Sequence, residues 1–214
     1  MSQEIKVLLG VGTVTALILF GAVFALGGSQ SPSTTSTKAD PKLLIKNDSN
    51  KIGTDSAKVK IVEFGDYQCP ACKAANPIVK TLMENYSSKV EFVFRNFAFI
   101  GPESNWAAEA AECSAEQGRF WDFHNYIYEH QGQENSGNFS KDNLKKVAGV
   151  LGLNKSLFDS CLDSGKYTAK IISDTNDGKK SGVNSTPTFF INGQKEVGVP
   201  NYNDFKEKID SLLN

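Results

Sequence analysis

Two cysteines with two residues between them, Cys69 and Cys72 in Cys-Pro-Ala-Cys, are the most reactive grouping in this sequence. Such a pair can attach haem, help to hold zinc, or cycle between dithiol and disulfide. Haem attachment requires histidine directly after the second cysteine, and Lys73 stands there. Structural zinc usually takes a second closely spaced ligand pair. Cys113 and Cys161 are far apart, and His124 and His130 do not supply metal spacing, so no metal site is expected. A redox dithiol requires its cysteines at the start of a helix that follows a strand.

The flanking residues meet that demand. Lys58 to Phe64, KVKIVEF, alternates and is rich in β-branched residues, the pattern of a strand. From Cys69 to Tyr86 the apolar positions Ile78, Val79, Leu82 and Met83 follow helical spacing, with Pro77 expected to kink the helix. Free N–H groups and the positive end of the helix dipole stabilise an anion at the first turn. Cys69 is placed there, so its pKa should be lowered. Pro70 suits the first helical position because it has no N–H to leave unpaired. Cys72, one turn in, should be more shielded and act as the second thiol. A three-unit depression at Cys69 would favour the reduced form by about 4 kcal/mol, on the order of 90 mV, at neutral pH. A stable reduced form makes the disulfide an oxidant.

The remaining elements follow in order. Lys89 to Phe99 reads as a second strand, Gly-Pro-Glu-Ser from Gly101 as a helix start, and Ser104 to His130 as one helix. After a loop from Gly132, residues 141–153 and 154–164 form two helical pieces, and Lys166 to Lys180 another. Thr188 to Asn192, TFFIN, is a short apolar strand that turns at Gly193 into Lys195 to Val199. Tyr202 to Leu212 closes the chain as a helix, and Lys42 to Lys46, KLLIK, could add a short strand near the beginning.

The N-terminus differs from the rest. Val7 to Leu26 carries no charge and would span roughly 30 Å as a helix, the thickness of a bilayer core. An uncleaved single-pass anchor is preferred over a signal peptide, because the apolar stretch exceeds the usual signal core of about 7–15 residues. Both readings send the rest of the chain outside the cytoplasm. Gly10 to Gly12, GVG, lies inside this segment and has neither the strand nor the Lys-Ser/Thr of a nucleotide loop. Ser29 to Asp40 is polar and suits a flexible spacer. The expected layout is 1–28 as membrane segment, 29–56 as linker and lead-in, and 57–214 as the folded domain, with a helical insertion at about 102–182. The net charge of -1 on 214 residues, both signs interspersed, gives no basic face for nucleic acid.

Four cysteines outside the cytoplasm invite pairing, and spacing alone does not decide among three connectivities. Cys69 and Cys72 are near enough to bridge across the first helical turn. The stretch VEFGDYQCPAC, with STPTFF far downstream and the helical block between them, resembles the DsbA-like thiol-disulfide oxidoreductases of the thioredoxin superfamily. The resemblance covers Lys58 to Leu213 and implies an α/β thioredoxin fold with an inserted helical domain, preceded here by the N-terminal transmembrane helix. It implies that Cys69 attacks and Cys72 resolves. It makes Glu63 a buried acid beneath the dithiol, with a raised pKa suited to moving a proton. It makes Pro187 a cis-proline facing the cysteines, and Thr186, Pro187 and Gln68 contacts for an extended substrate peptide paired as an added strand.

The implied activity is disulfide introduction into secreted or envelope proteins, with extended or unfolded thiol-bearing clients and a membrane-bound partner for reoxidation. No cofactor enters that cycle. Reductase or isomerase activity on the same fold, and a peptide-binding module with an inert bridge, are the alternatives. The family's best-known oxidants carry histidine between the cysteines, whereas Ala71 offers no side-chain donor, so a less extreme potential is expected. Cys113 and Cys161 are expected to form a structural bridge, the alternative being a second redox pair. His124 and His130 should be ordinary core or surface histidines. Trp106, Phe120, Trp121, Phe123 and Tyr126 should line core and groove.

Overall fold

A computed structural model describes residues 38–214. The expected membrane segment at 7–26 lies outside these residues. Among the described residues, no helix is long and apolar enough to cross a membrane.

The central strand β2 (Val59–Gly65) is buried on both faces, as its near-continuous apolar run requires. It leads into helix α2 (Pro70–Tyr86), which contains Pro77. Strand β3 (Val90–Asn96) returns parallel to β2, with Glu63 opposite Phe94. The hairpin of β4 (Thr188–Ile191) and β5 (Gln194–Val197) pairs antiparallel on the other side of β2, with Glu63 opposite Phe189. The closing helix α8 (Tyr202–Leu213) packs Phe205 on Phe189 in an edge-to-face contact.

Because side chains alternate across a strand, each strand feeds two cores. Ile61, Phe92, Phe94, Phe189 and Ile191 join Cys69, Cys72 and the helical block on one face. Val62, Phe64, Val93 and Phe190 pack with Leu44 and Val183 on the other. Arg95 enters that second side fully buried. Its guanidinium donates to Asp174 and Asp177 and to the carbonyls of Leu43 and Leu44, which saturates a charge that burial would otherwise penalise.

Three elements differ from expectation. Lys42 to Lys46 is not a strand. Residues Pro41–Leu44 form a helical turn, α1, because Asp40 accepts from the Lys42 N–H and proline sits in the first helical position. A short edge strand, β1 (Asn50–Gly53), pairs antiparallel with β3 instead. It is polar and mostly exposed, so it carries no alternation to read. Part of the expected lead-in is thus built into the sheet, whose order is β1-β3-β2-β4-β5.

The expected helix from Ser104 to His130 is two helices, α3 (Pro102–Ala115) and α4 (Phe120–Glu129). Gly118 breaks it with φ 69, a left-handed conformation that glycine adopts without steric cost. Helices α5 (Lys141–Val150), α6 (Lys155–Asp163) and α7 (Thr168–Lys180) complete the insertion.

Cys113 on α3 and Cys161 on α6 are joined by a disulfide, with Cα atoms 5.9 Å apart and 48 residues of separation. The disulfide joins the two cysteines that were expected to pair. Closing a loop of that length is worth about 4 kcal/mol in the chain-entropy model. The double variant Cys113→Ser/Cys161→Ser should lose about that much stability in denaturant unfolding. A loss under about 1 kcal/mol would mean that the bridge only decorates an already fixed helix pair.

Candidate active site

The site is assembled where β2 ends and α2 begins. Asp66 shapes the connection. Its carboxylate accepts from the Gln68 N–H at 2.8 Å, and its carbonyl accepts from the Cys69 N–H at 3.0 Å. The second carboxylate oxygen accepts from the N–H groups of Phe99 and Ile100, tying this loop to the one after β3. Cys69 is the N-cap of α2 with extended backbone, and Pro70 occupies the first turn as expected. Gln131, far along the chain, donates its amide to the carbonyls of Tyr67 and Cys69 at 2.7 and 3.0 Å.

The two thiols are free and chemically unlike. Cys69 is 8% exposed, and as a thiol it donates to the Thr186 carbonyl at 3.3 Å. Its pKa is lowered to about 6. The hydrogen bond from the Cys72 thiol is the main cause, supported by the Thr186 side chain and the Cys72 and Ala71 N–H groups, with burial opposing. Cys72 is fully buried and its pKa is pushed well up. Burial leads, followed by the hydrogen bond it gives to Cys69 and the charges of Glu63 and Cys69. One sulfur is therefore anionic near neutral pH and its neighbour is held as a thiol.

This revises the expected energetics. A thiol with the ordinary pKa of 9.0 is already protonated at pH 7, so only the interval between 7 and about 6 counts there. That interval is worth about 1.4 kcal/mol, or roughly 30 mV for a two-electron couple, not 90 mV. The full depression is realised only above pH 9.

Glu63, 3% exposed, lies on the dithiol face of β2 with Ile61 and has its pKa raised to about 8. Burial is the larger cause and the Cys69 charge the smaller. It is thus a neutral carboxyl at neutral pH, able to give a proton. The Thr186–Pro187 bond is cis, and Pro187 accepts from the Gly198 N–H, so the loop facing Cys69 is anchored to the residue following β5.

Sequence reasoning therefore placed Cys69, Cys72, Glu63, Thr186 and Pro187, which the fold brings together. Gln68 is placed differently from a substrate contact. It is 2% exposed, and its amide is engaged by Ser104 and by the side chain and N–H of Asn135. The side chain braces the loop around Asn135 against the active site. Asp66 and Gln131 were missed. Asp66 had a local signal, an Asx-type acceptor two residues before the N–H it captures, whereas Gln131 is distant in sequence and had none.

His124 is a core histidine, held neutral by burial with its pKa near 3, and its Nδ1 lies 3.0 Å from the Tyr67 hydroxyl. His130 is exposed and bonded within its own helix end to the Tyr126 carbonyl.

A helix-capping cysteine after the central strand, a shielded partner beneath it and a buried strand carboxyl define a dithiol protein of the thioredoxin class. The family model described as Thioredoxin matches residues 46–211, and the chain belongs to that family. It is 29% identical over 211 residues to a probable disulfide bond formation protein D of Bacillus cereus, covering 92% of this chain and 97% of that one. It is 32% identical over 207 residues to Na(+)/H(+) antiporter NhaA 3 of Salinispora tropica, where 92% of this chain spans only 31% of the relative's length. Among solved structures it is similar to oxidised BdbD from Bacillus subtilis, with 27% identity, a TM-score of 0.72, and coverage of 83% of this chain and 97% of that one. The resemblance to DsbA-like proteins read from the sequence is borne out, helical insertion included.

The raised pKa of Glu63 fixes a sign for stability. Burying this carboxyl costs nothing below its ordinary value of 4.5, costs more as pH rises, and levels off above about 8. Reduced Glu63→Gln should match the parent protein at pH 4 in denaturant unfolding. At pH 8 it should be more stable, by on the order of 3–5 kcal/mol. Equal stability of the two proteins at both pH values would place Glu63 in contact with water.

Proposed function

We propose that this chain is a membrane-tethered, extracytoplasmic thiol-disulfide oxidoreductase that introduces disulfides into thiol-bearing proteins. The observation that carries this reading is the unequal pair: Cys69 ionised near neutral pH with its sulfur against the Thr186–Pro187 loop, and Cys72 neutral beneath it. A client thiolate attacks Cys69 of the oxidised pair, forming a mixed disulfide and releasing Cys72. A second client thiol then resolves it, leaving a bond in the client and two thiols here. Two membrane-side elements accompany the proposal: the uncharged Val7 to Leu26 as anchor, and a membrane-bound partner that reoxidises the dithiol. The Cys113–Cys161 bridge supports an oxidising compartment.

Clients are extended or unfolded polypeptides. Pro187 and Thr186 lie beside Cys69 at the start of β4, where an added strand would bring a client sulfur to the site. Gln68 contributes by bracing the loop rather than by touching the client.

A reductase or isomerase reading keeps the same steps in reverse, and the missing side-chain donor at Ala71 is the feature in its favour. Equilibration of the full-length protein with glutathione, reading Cys69–Cys72 by mass after alkylation, separates the two. The expected potential lies between about -270 mV, typical of thioredoxin, and the roughly -120 mV of a strong oxidant. A value at or below the thioredoxin figure would remove the oxidase reading. Cys72→Ser should accumulate covalent client complexes through Cys69, whereas Cys69→Ser should not.

A further inference from the structure

The phenol of Tyr128 carries a buried hydroxyl that the exchange cycle above leaves unused. Tyr128 is 1% exposed, and its hydroxyl has no hydrogen-bond partner among the described residues. The neighbouring Tyr67 hydroxyl, by contrast, is paired with His124. An unpaired buried hydroxyl is costly, and in a native fold it asks for a reason.

Its position supplies one. The hydroxyl oxygen lies 2.9 Å from the point where a Cβ on Gly65 would sit, so it occupies the bare face of that glycine. Gly65 is two residues beyond Glu63 on β2, and residues two apart share a face, roughly 6.6 Å from each other along the strand. Cys72 packs in the same buried cluster as Tyr128 and Phe94. The rings of Tyr67 and His124, each with its centroid 4.9 Å from that of Tyr128, close the sides. The hydroxyl is thus enclosed over the face of β2 that carries Glu63 and within the cluster that holds Cys72.

Accepting the oxidoreductase reading, we infer that Tyr128 is a positioning residue whose hydroxyl donates to the negative charge that appears under Cys69 during exchange. When a client thiolate attacks Cys69, a client–Cys69 bond forms and the Cys69–Cys72 bond breaks. The electron pair of the broken bond leaves on Cys72 as a thiolate. The Glu63 carboxyl then gives its proton to Cys72 and becomes a carboxylate. Tyr128 keeps its own proton throughout and donates across one water to whichever of the two carries the charge. In the reduced protein the hydroxyl has no acceptor within hydrogen-bond distance among the described residues, so the contact to that charge runs through a water.

The titratable groups facing Tyr128 are Cys72 on α2, Glu63 on β2, Asp66 and Tyr67 in the connecting loop, and neutral His124 on α4. Burial, then the charges of Cys72 and Glu63, push the phenol well above its ordinary pKa of 10.0 and keep it a donor.

The test is Tyr128→Phe in the full-length oxidised protein, held in detergent and reduced by glutathione between pH 5 and 9. Rates are expressed per glutathione thiolate and read by quenched mass analysis, alongside thermal unfolding. The variant should react about tenfold more slowly at pH 7, the size expected for losing a hydrogen bond to a charged group. The decline of rate with deprotonation of Glu63 in the parent should move to higher pH. Alkylation of the reduced variant should keep the Cys69 midpoint near pH 6, and thermal stability should not fall. Unchanged rates and profile would overturn the inference while leaving the oxidoreductase reading intact. A destabilised variant slowed equally at every pH would also overturn it, marking Tyr128 as packing. A parent protein that does not exchange with glutathione would sink both.

Discussion

Two sulfur atoms three residues apart are held in opposite protonation states, and the rest of the site serves that difference. Cys69 is at the mouth of α2, where the Cys72 thiol and the first free N–H groups converge on it. Cys72 is one turn deeper, fully buried and beside the Cys69 charge. The same hydrogen bond lowers one pKa and raises the other, because donating it is possible only while Cys72 keeps its proton. Position within a single helical turn therefore decides which sulfur ionises and which keeps its proton.

That turn has to be held, and the chain holds it from several directions. Asp66 caps the loop from within and ties it to the end of β3. Gln131 and the Gln68–Asn135 pair fasten it to the helical insertion. The insertion is itself closed by the Cys113–Cys161 bridge and joined to the second core through Arg95, Asp174 and Asp177. The helical block thus does more than enlarge the domain. It supplies the polar contacts that hold the Cys69 carbonyl and the chain leading into α2. Beneath them Glu63 is buried without charge at neutral pH, at a cost to the fold.

What could be read from the sequence was what is local. Strand β2, helix α2, the dithiol and the Thr186–Pro187 loop each carry their pattern within a dozen residues, and they were placed to within one or two positions. Strand β1 was not legible, because a four-residue exposed edge has no alternation. The Asp40–Pro41 cap was legible but was outweighed by the apolar run that follows it. Gly118 likewise stood in plain view inside a pattern otherwise helical on both sides. The bracing role of Gln68 could not be read at all, since its partners Ser104 and Asn135 are 36 and 67 residues away.

The inequality of the two sulfurs can be measured directly by alkylating the reduced full-length protein across pH 4 to 10 and scoring each cysteine separately by mass. The account requires Cys69 to become reactive with a midpoint near pH 6 while Cys72 stays unreactive to the top of the range. Both cysteines titrating together near pH 9 would contradict it.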